Sequence, residues 1–274
     1  MRILPAILTC LIYCSVATAE TVSIKGLHAL DESRYHRVES KTLGRGYHVI
    51  VGLPDGYDES ENTTYPAIYI LDGGMLYPLL RGYYNYLRHS EEAPAAILVA
   101  VSYGNSDFAG GNLRSADYTA PSAEREFWGG AKDFQTFLAD ELLPMIESEY
   151  RAAPDRRVIF GQSIGGQFVL FTAQTKPDLF WGHIASNPAL HRNLPFFLEL
   201  HGEPRSMAVQ SRLFVGSGSH DDPTFREPAL AWVKHWTSVN DTPWALRAVT
   251  LDTHTHFSAP PASFRQGLKW IFEL

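Results

Sequence analysis

Six short runs of apolar residues punctuate the chain, at residues 47–51, 67–71, 96–101, 157–160, 212–215 and 247–251. Their apolar positions are mostly consecutive, the pattern of strands covered on both faces. Between the later runs lie stretches of helical period, residues 133–150, 164–174, 224–236 and 262–272. Buried strands alternating with helices predict an α/β fold in a single domain, with a mostly parallel, doubly wound sheet flanked by helices. Pro144 lacks a backbone N–H, so the first helical stretch should kink or divide there. Residues 104–130 form a long segment, polar and aromatic, whose Gly110-Gly111 pair marks flexibility. Such a segment suits the wall of a substrate cleft better than a structural strut.

The run at 157–160 leads straight into Gly161-Gln162-Ser163-Ile164-Gly165-Gly166 and then into Phe168-Val169-Leu170-Phe171. A G-x-S-x-G match alone arises by chance in roughly one chain in ten of this length. Here it lies between a strand-like and a helix-like segment, the context of a nucleophile elbow. A serine on so tight a turn stands clear of the sheet, and Gly161 and Gly165 leave the turn room that a Cβ would fill.

A serine hydroxyl becomes a useful nucleophile only when a base takes its proton. In α/β-hydrolases the order along the chain is serine, carboxylate, histidine. His256 follows the last strand-like run and precedes the closing helix, which suits the base. The alternative for His254-Thr255-His256 is a metal site, but neither a clear third ligand nor a cysteine accompanies the pair. The penultimate strand runs into Gly216-Ser217-Gly218-Ser219-His220-Asp221-Asp222, which delivers two adjacent carboxylates. Asp221 is the expected acid, with Asp222 in reserve. The developing oxyanion needs two backbone N–H donors. Ile164 supplies one, and Ile70-Leu71-Asp72-Gly73-Gly74 ends an early strand with Gly74 as the expected second donor and Gly73 as the alternative.

Composition narrows the function further. The 274 residues are 45% hydrophobic and 19% charged, enough for one large core. The formal net charge is −7 and no block of Lys or Arg interrupts it, which argues against nucleic-acid binding. Met1-Arg2, an apolar stretch and Ala17-Thr18-Ala19 read as a signal peptide over residues 1–19, leaving residues 20–274 as the α/β-hydrolase domain. The apolar stretch is shorter than the roughly 20 residues of a spanning helix, so export to the periplasm or medium is expected, with no membrane insertion after cleavage. Both cysteines, Cys10 and Cys14, fall within that leader. The exported chain would have neither disulfides nor a cysteine nucleophile.

Together these residues resemble the Putative esterase family of α/β-hydrolases, and most closely its branch of periplasmic siderophore esterases that cut enterobactin-type triscatecholate lactones. The matching stretches are Leu53-Pro54-Asp55-Gly56-Tyr57, Tyr65-Pro66-Ala67-Ile68-Tyr69-Ile70-Leu71-Asp72-Gly73, Arg114 with Asp117-Tyr118-Thr119, Gly129-Gly130-Ala131, the elbow, and Thr255-His256-Phe257-Ser258. The resemblance implies Ser163 as nucleophile, His256 as base, Asp221 as acid and Arg114 as a substrate-contacting residue, without cofactor or metal. Relatives commonly carry a histidine before the nucleophile, where this chain has Gln162, and S-P-S-x-W where this chain has Asn187-Pro188-Ala189-Leu190-His191. The pocket tryptophan is thus missing, and His191 with Phe196-Phe197 would shape the acyl pocket. Arg114 suits an anionic substrate, and the aromatics around it, Phe108, Tyr118, Phe127 and Trp128, suit catechol or phenolic acyl groups. The expected activity is that of an exported serine carboxylic-ester hydrolase acting on a small-molecule ester. A feruloyl or acetyl esterase on plant polysaccharide, a non-catalytic module of the same fold and an exported peptidase are the alternatives.

Overall fold

The computed structural model describes residues 33–59, 62–105, 109–123, 126–199, 201 and 210–274. The expected leader with both cysteines, and Phe108, lie outside the described residues. Along the chain run β1 (Ser33–Ser40), β2 (Arg45–Gly52), β3 (Tyr65–Ile70), α1 (Gly73–His89), β4 (Ile97–Ser102), α2 (Arg114–Asp117), α3 (Ala131–Phe137), α4 (Leu143–Glu149), β5 (Ala152–Gln162), α5 (Ile164–Thr175), β6 (Gly182–Ser186), α6 (Leu194–Phe197), β7 (Ser211–Gly218), α7 (Pro223–Trp236), β8 (Trp244–Leu251) and α8 (Ala259–Phe272).

The strands form one sheet in the order β1-β2-β4-β3-β5-β6-β7-β8. β1 pairs antiparallel with β2, and β2 with β4, while every pairing from β4 to β8 is parallel. The mostly parallel α/β sheet predicted from the apolar runs is therefore present. Alternate residues of each strand feed two cores. Tyr69, Val99, Ile159 and Val215 face Phe134, Phe137, Phe168 and Trp232 on one side. Ile68, Ile70, Phe160 and Phe214 face Leu80, Tyr84, Phe264 and Leu268 of α1 and α8 on the other.

Five elements, β1, α1, α2, β6 and α6, escape the periodicity, and β6 and α1 show why. β6, Gly182-His183-Ile184-Ala185-Ser186, is short and poor in β-branched residues, yet all of it is buried between β5 and β7. Tertiary pairing overrides its weak propensity. α1 begins with two glycines and contains Pro78, all helix breakers by composition. Pro78 frees only the carbonyl of Gly74, and Gly74 is exposed to solvent at the helix start. The break expected at Pro144 is real: α3 passes into a π-helical turn over Leu138–Leu142, and α4 restarts with Pro144 in its first turn, where no N–H is needed.

The chain moves outward from β3 to β4 in one direction and from β5 to β8 in the other. The sheet therefore reverses its winding between β3 and β5, and the crevice beyond the carboxyl ends of such strands is where doubly wound sheets bind ligands.

Candidate active site

Ser163 joins β5 to α5 with φ 58° and ψ −116°, in the half of backbone space that side chains avoid. Such a conformation costs on the order of 1–3 kcal/mol and needs support. The Ser163 N–H donates to the Ser186 carbonyl at 3.0 Å, and its carbonyl accepts from the N–H groups of Ala189 at 3.0 Å and Gln167 at 2.9 Å. The chain leaving β6 thus grips the elbow. A Cβ on Gly161 would overlap the Gly165 carbonyl. Gly165 is less constrained than the motif suggests: a Cβ there would lie 3.3 Å from Asp72 Oδ2, a tight fit and no clash. Gly166 is the tighter of the two, with the Ser186 carbonyl oxygen 2.9 Å from its Cβ position.

Ile164 opens α5, and Gly73-Gly74 open α1 on the neighbouring strand β3. The first N–H groups of a helix have no acceptor within it and carry the positive end of its dipole. In α1 the Asp72 carbonyl takes the N–H groups of Met75 and Leu76, both at 3.0 Å. Gly73 is packed against Ala100 and Val101 of β4, whereas Gly74 is exposed. Two helix starts, one from each strand flanking the switch in winding, meet at the same edge of the sheet.

Asp221 and His256, 35 residues apart, are brought into contact. His256 Nδ1 lies 2.9 Å from Asp221 Oδ2 and 3.1 Å from Oδ1. The Asp221 side chain is 1% exposed and that of His256 12%. An imidazole that gives its Nδ1 proton to a buried carboxylate keeps its Nε2 lone pair free to take another. Asp221 Oδ1 also accepts from the Asp222 N–H at 2.8 Å. Asp222 turns away, accepting from the Thr224 N–H at 2.8 Å as the cap of α7, and the Thr224 hydroxyl together with that N–H holds its carboxyl below the usual range. His254 Nδ1 meets the Ser258 carbonyl at 2.9 Å instead. Among the described residues no group of three His, Cys, Asp or Glu is placed to hold a metal ion. Phe225 of α7 lies against both His256, ring centroids 4.7 Å apart, and His191, 5.0 Å apart, which puts His191 beside the catalytic candidates.

The aromatic segment fits its expected role only in part. Arg114 holds Asp72 bidentately, Nε to Oδ1 at 2.7 Å and Nη2 to Oδ2 at 2.8 Å. Burial works against the guanidinium charge, but the carboxylate outweighs it and raises the Arg114 pKa. Tyr118 is fully buried, its ring against Phe134 and Phe168 and its hydroxyl accepting from the Asp72 N–H, so within the protein it braces the segment that carries Arg114. Trp128 is half-buried and Phe127 exposed.

Three residues outside the sequence-based assignment matter to this geometry. Asp117, 1% exposed, accepts from the Tyr47 hydroxyl at 2.7 Å, the Tyr103 hydroxyl at 2.9 Å and the Arg45 guanidinium. It pins the segment carrying Arg114 to the sheet. The Asp117-Tyr118-Thr119 stretch, which the sequence offers only as part of the family pattern, thus contains a buried anchor. Asn187 and Gln162, noted above only as departures from the family pattern, both bond to the loop of His256. Contacts of such range leave no periodic mark in a sequence.

A model of the family described as "Putative esterase" matches residues 40–256. Among curated relatives, a ferri-bacillibactin esterase of Bacillus subtilis is 31% identical over 177 residues, 59% of this chain and 60% of that one. A siderophore enterobactin esterase of Emericella nidulans is 27% identical over 193 residues, 63% of this chain and 60% of that one. The chain thus spans 60% of the length of these two relatives. Among solved structures, a BES protein from Bacillus cereus has a TM-score of 0.78 at 22% identity, covering 94% of this chain and 98% of that one. An enterobactin and salmochelin hydrolase has a TM-score of 0.67 at 24% identity, covering 87% and 94%. Both likenesses concern the fold alone.

Proposed function

The chain belongs to the family described as "Putative esterase", and from that premise we propose that it is an exported serine esterase that hydrolyses carboxylic esters through Ser163, His256 and Asp221. The observation that carries this reading is the Asp221–His256 pair at 2.9 Å, delivered by the ends of two neighbouring strands to the edge where Ser163 stands on its strained turn. Ser163 Oγ attacks the ester carbonyl carbon while His256 Nε2 takes its proton. The carbonyl oxygen gains the negative charge and is met by the N–H groups of Ile164 and Gly74. Collapse of this adduct expels the alcohol, which leaves with the proton held by His256. Water, deprotonated by the same imidazole, then releases the acid and restores the serine hydroxyl. Asp221 stabilises the imidazolium in each half of the cycle.

For the substrate we propose siderophore trilactone esters of the kind named for the curated relatives, with His191 and Trp128 lining the site. Removal of residues 1–19 would deliver the enzyme to the periplasm or the medium. One observation favours a second reading: Arg114 already faces the carboxylate of Asp72, which leaves little of its charge for an anionic substrate. A neutral aromatic ester, such as a feruloyl group on polysaccharide, would not need that charge. A fluorophosphonate probe should label Ser163 and nothing else. A hydrolysis panel separates the substrates: turnover of a triscatecholate lactone and its linear fragments supports the first reading, and cleavage of feruloyl or acetyl esters alone replaces it with the second.

A further inference from the structure

Backbone and hydroxyl bonds hold the flanks of the exposed loop that carries His256: the His254 carbonyl accepts from the His220 N–H at 2.9 Å, the Thr253 N–H donates to Ser219 Oγ at 2.8 Å and the Thr255 N–H to Ser258 Oγ at 2.9 Å, whereas the His256 carbonyl is met by side chains. Asp252, Thr253, Thr255, Phe257 and Ser258 are all exposed, and Phe257 is 86% so. An imidazole on such a loop would sweep through many positions unless its backbone were fixed independently of its ring. Two amide side chains supply that fixation. Gln162, which immediately precedes the elbow serine, donates from Nε2 to the His256 carbonyl at 2.7 Å. Asn187, at the end of β6, donates from Nδ2 to the same carbonyl at 3.3 Å and to that of Thr255 at 3.4 Å. Its Oδ1 accepts from the Gly218 N–H at 2.8 Å, and its own N–H donates to the Gly216 carbonyl at 2.8 Å. Asn187 is 1% exposed and adopts φ 40°, a conformation that asparagine tolerates better than most residues. One buried side chain thus ties together the ends of β6 and β7 and the loop beyond β8.

Resting on the esterase reading, we infer that Gln162 and Asn187 form an amide clamp on the His256 carbonyl that positions the general base over Ser163. They are positioning residues, acting through the backbone of His256 and leaving its ring to Asp221. Gln162 links base to nucleophile most directly, because it is the covalent neighbour of Ser163. Any shift of the elbow is passed to the histidine, and the two reacting groups move as one. Displacements of about 1 Å cost reactions of this kind about a hundredfold.

The experiment replaces each donor by an isosteric acceptor, Gln162→Glu and Asn187→Asp, with Gln162→Leu as a third variant that removes the bond without adding charge. The readouts are kcat and KM for p-nitrophenyl acetate, the thermal midpoint, and the downfield Nδ1 proton resonance of His256. The clamp predicts that kcat falls about tenfold in each single variant, that KM stays within about twofold, and that the Nδ1 resonance broadens or moves. Unchanged kcat and an unmoved resonance in Gln162→Leu would overturn it. A fall in kcat with the resonance unmoved would also overturn it, since the histidine would then be in place. Asn187→Asp could disturb folding, and in that event Gln162→Leu decides alone. If the unaltered protein cleaves no ester, the esterase reading fails, while the His256 resonance in the same variants still tests the clamp.

Discussion

The two halves of the site are held by different means. Ser163, Ile164 and Gly74 sit just beyond the carboxyl ends of the central strands β3 and β5, where backbone strain, the absence of side chains and backbone hydrogen bonds fix them. Asp221 and His256 sit on loops beyond β7 and β8, at the margin of the sheet, and side-chain hydrogen bonds fix them. The central half is built into the fold and pays for its strain with surrounding structure. The marginal half is assembled by contacts between residues far apart in the chain. Substitutions should therefore break the two halves in different ways.

The largest effects are on activity and involve a residue from each half. Ser163→Ala and His256→Ala should each lower hydrolysis of a p-nitrophenyl ester by at least about 10⁴-fold, and the double variant should be no worse, because such residues act as a unit. His254→Ala should leave turnover nearly intact. Equal damage from His254→Ala would place the base on the wrong histidine. Next comes the carboxylate: Asp221→Asn should cost about 10³–10⁴-fold in kcat, through loss of the charge that orients and stabilises the imidazolium. Asp222→Ala should retain activity and lose about 1 kcal/mol of stability with its helix cap, so the pair separates catalysis from capping in two assays.

The central half should answer in stability. Gly161→Ala forces a Cβ into the Gly165 carbonyl and should destabilise by about 3 kcal/mol in urea unfolding. Gly165→Ala meets only the Asp72 carboxylate at 3.3 Å and should cost about 1 kcal/mol or less. Similar losses at both positions would mean that the elbow is more plastic than its backbone angles imply.

A last effect concerns pH and vanishes at neutrality. His183, in the middle of the buried strand β6, has its pKa lowered to about 3 by burial, against the usual 6.5. The unfolded chain then binds a proton below pH 6.5 that the folded chain refuses, so stability rises with pH across the window from 3 to 6.5. His183→Phe should flatten the acid side of the stability curve while leaving the value at pH 7.5 nearly unchanged, as urea midpoints at pH 4.5 and 7.5 would register.

What could be read from the sequence follows the same division. The elbow is legible because its constraint is local: Gly161, Ser163 and Gly165 fall within five residues, between a strand and a helix. The mostly parallel sheet is legible because buried apolar runs alternate with helices, although the sequence leaves the order of its strands open. Asp221 and Asp222 are chemically equal in the sequence, and only the folded chain sets them apart, pairing Asp221 with His256 and giving Asp222 to the Thr224 cap. Arg114 and Tyr118 look like substrate contacts because nothing in a linear pattern reveals that Asp72, 42 residues earlier, faces the guanidinium, or that the tyrosine ring lies wholly inside. β6 hides for a related reason: its neighbours make it a strand.

The sheet also ends somewhere, and its last strand bears on how the protein behaves when crowded. Among the described residues β8 pairs with β7 alone, leaving one row of N–H and C=O groups without a strand partner. Eight residues of open edge, Trp244-Ala245-Leu246-Arg247-Ala248-Val249-Thr250-Leu251, would be an invitation to add a strand from another molecule. The exposed Arg247 stands mid-strand, and a second copy laid antiparallel on that edge would bring a second arginine close to it. Like charge in the middle of the strand thus acts as a guard against edge-to-edge aggregation, at a site that has nothing to do with catalysis.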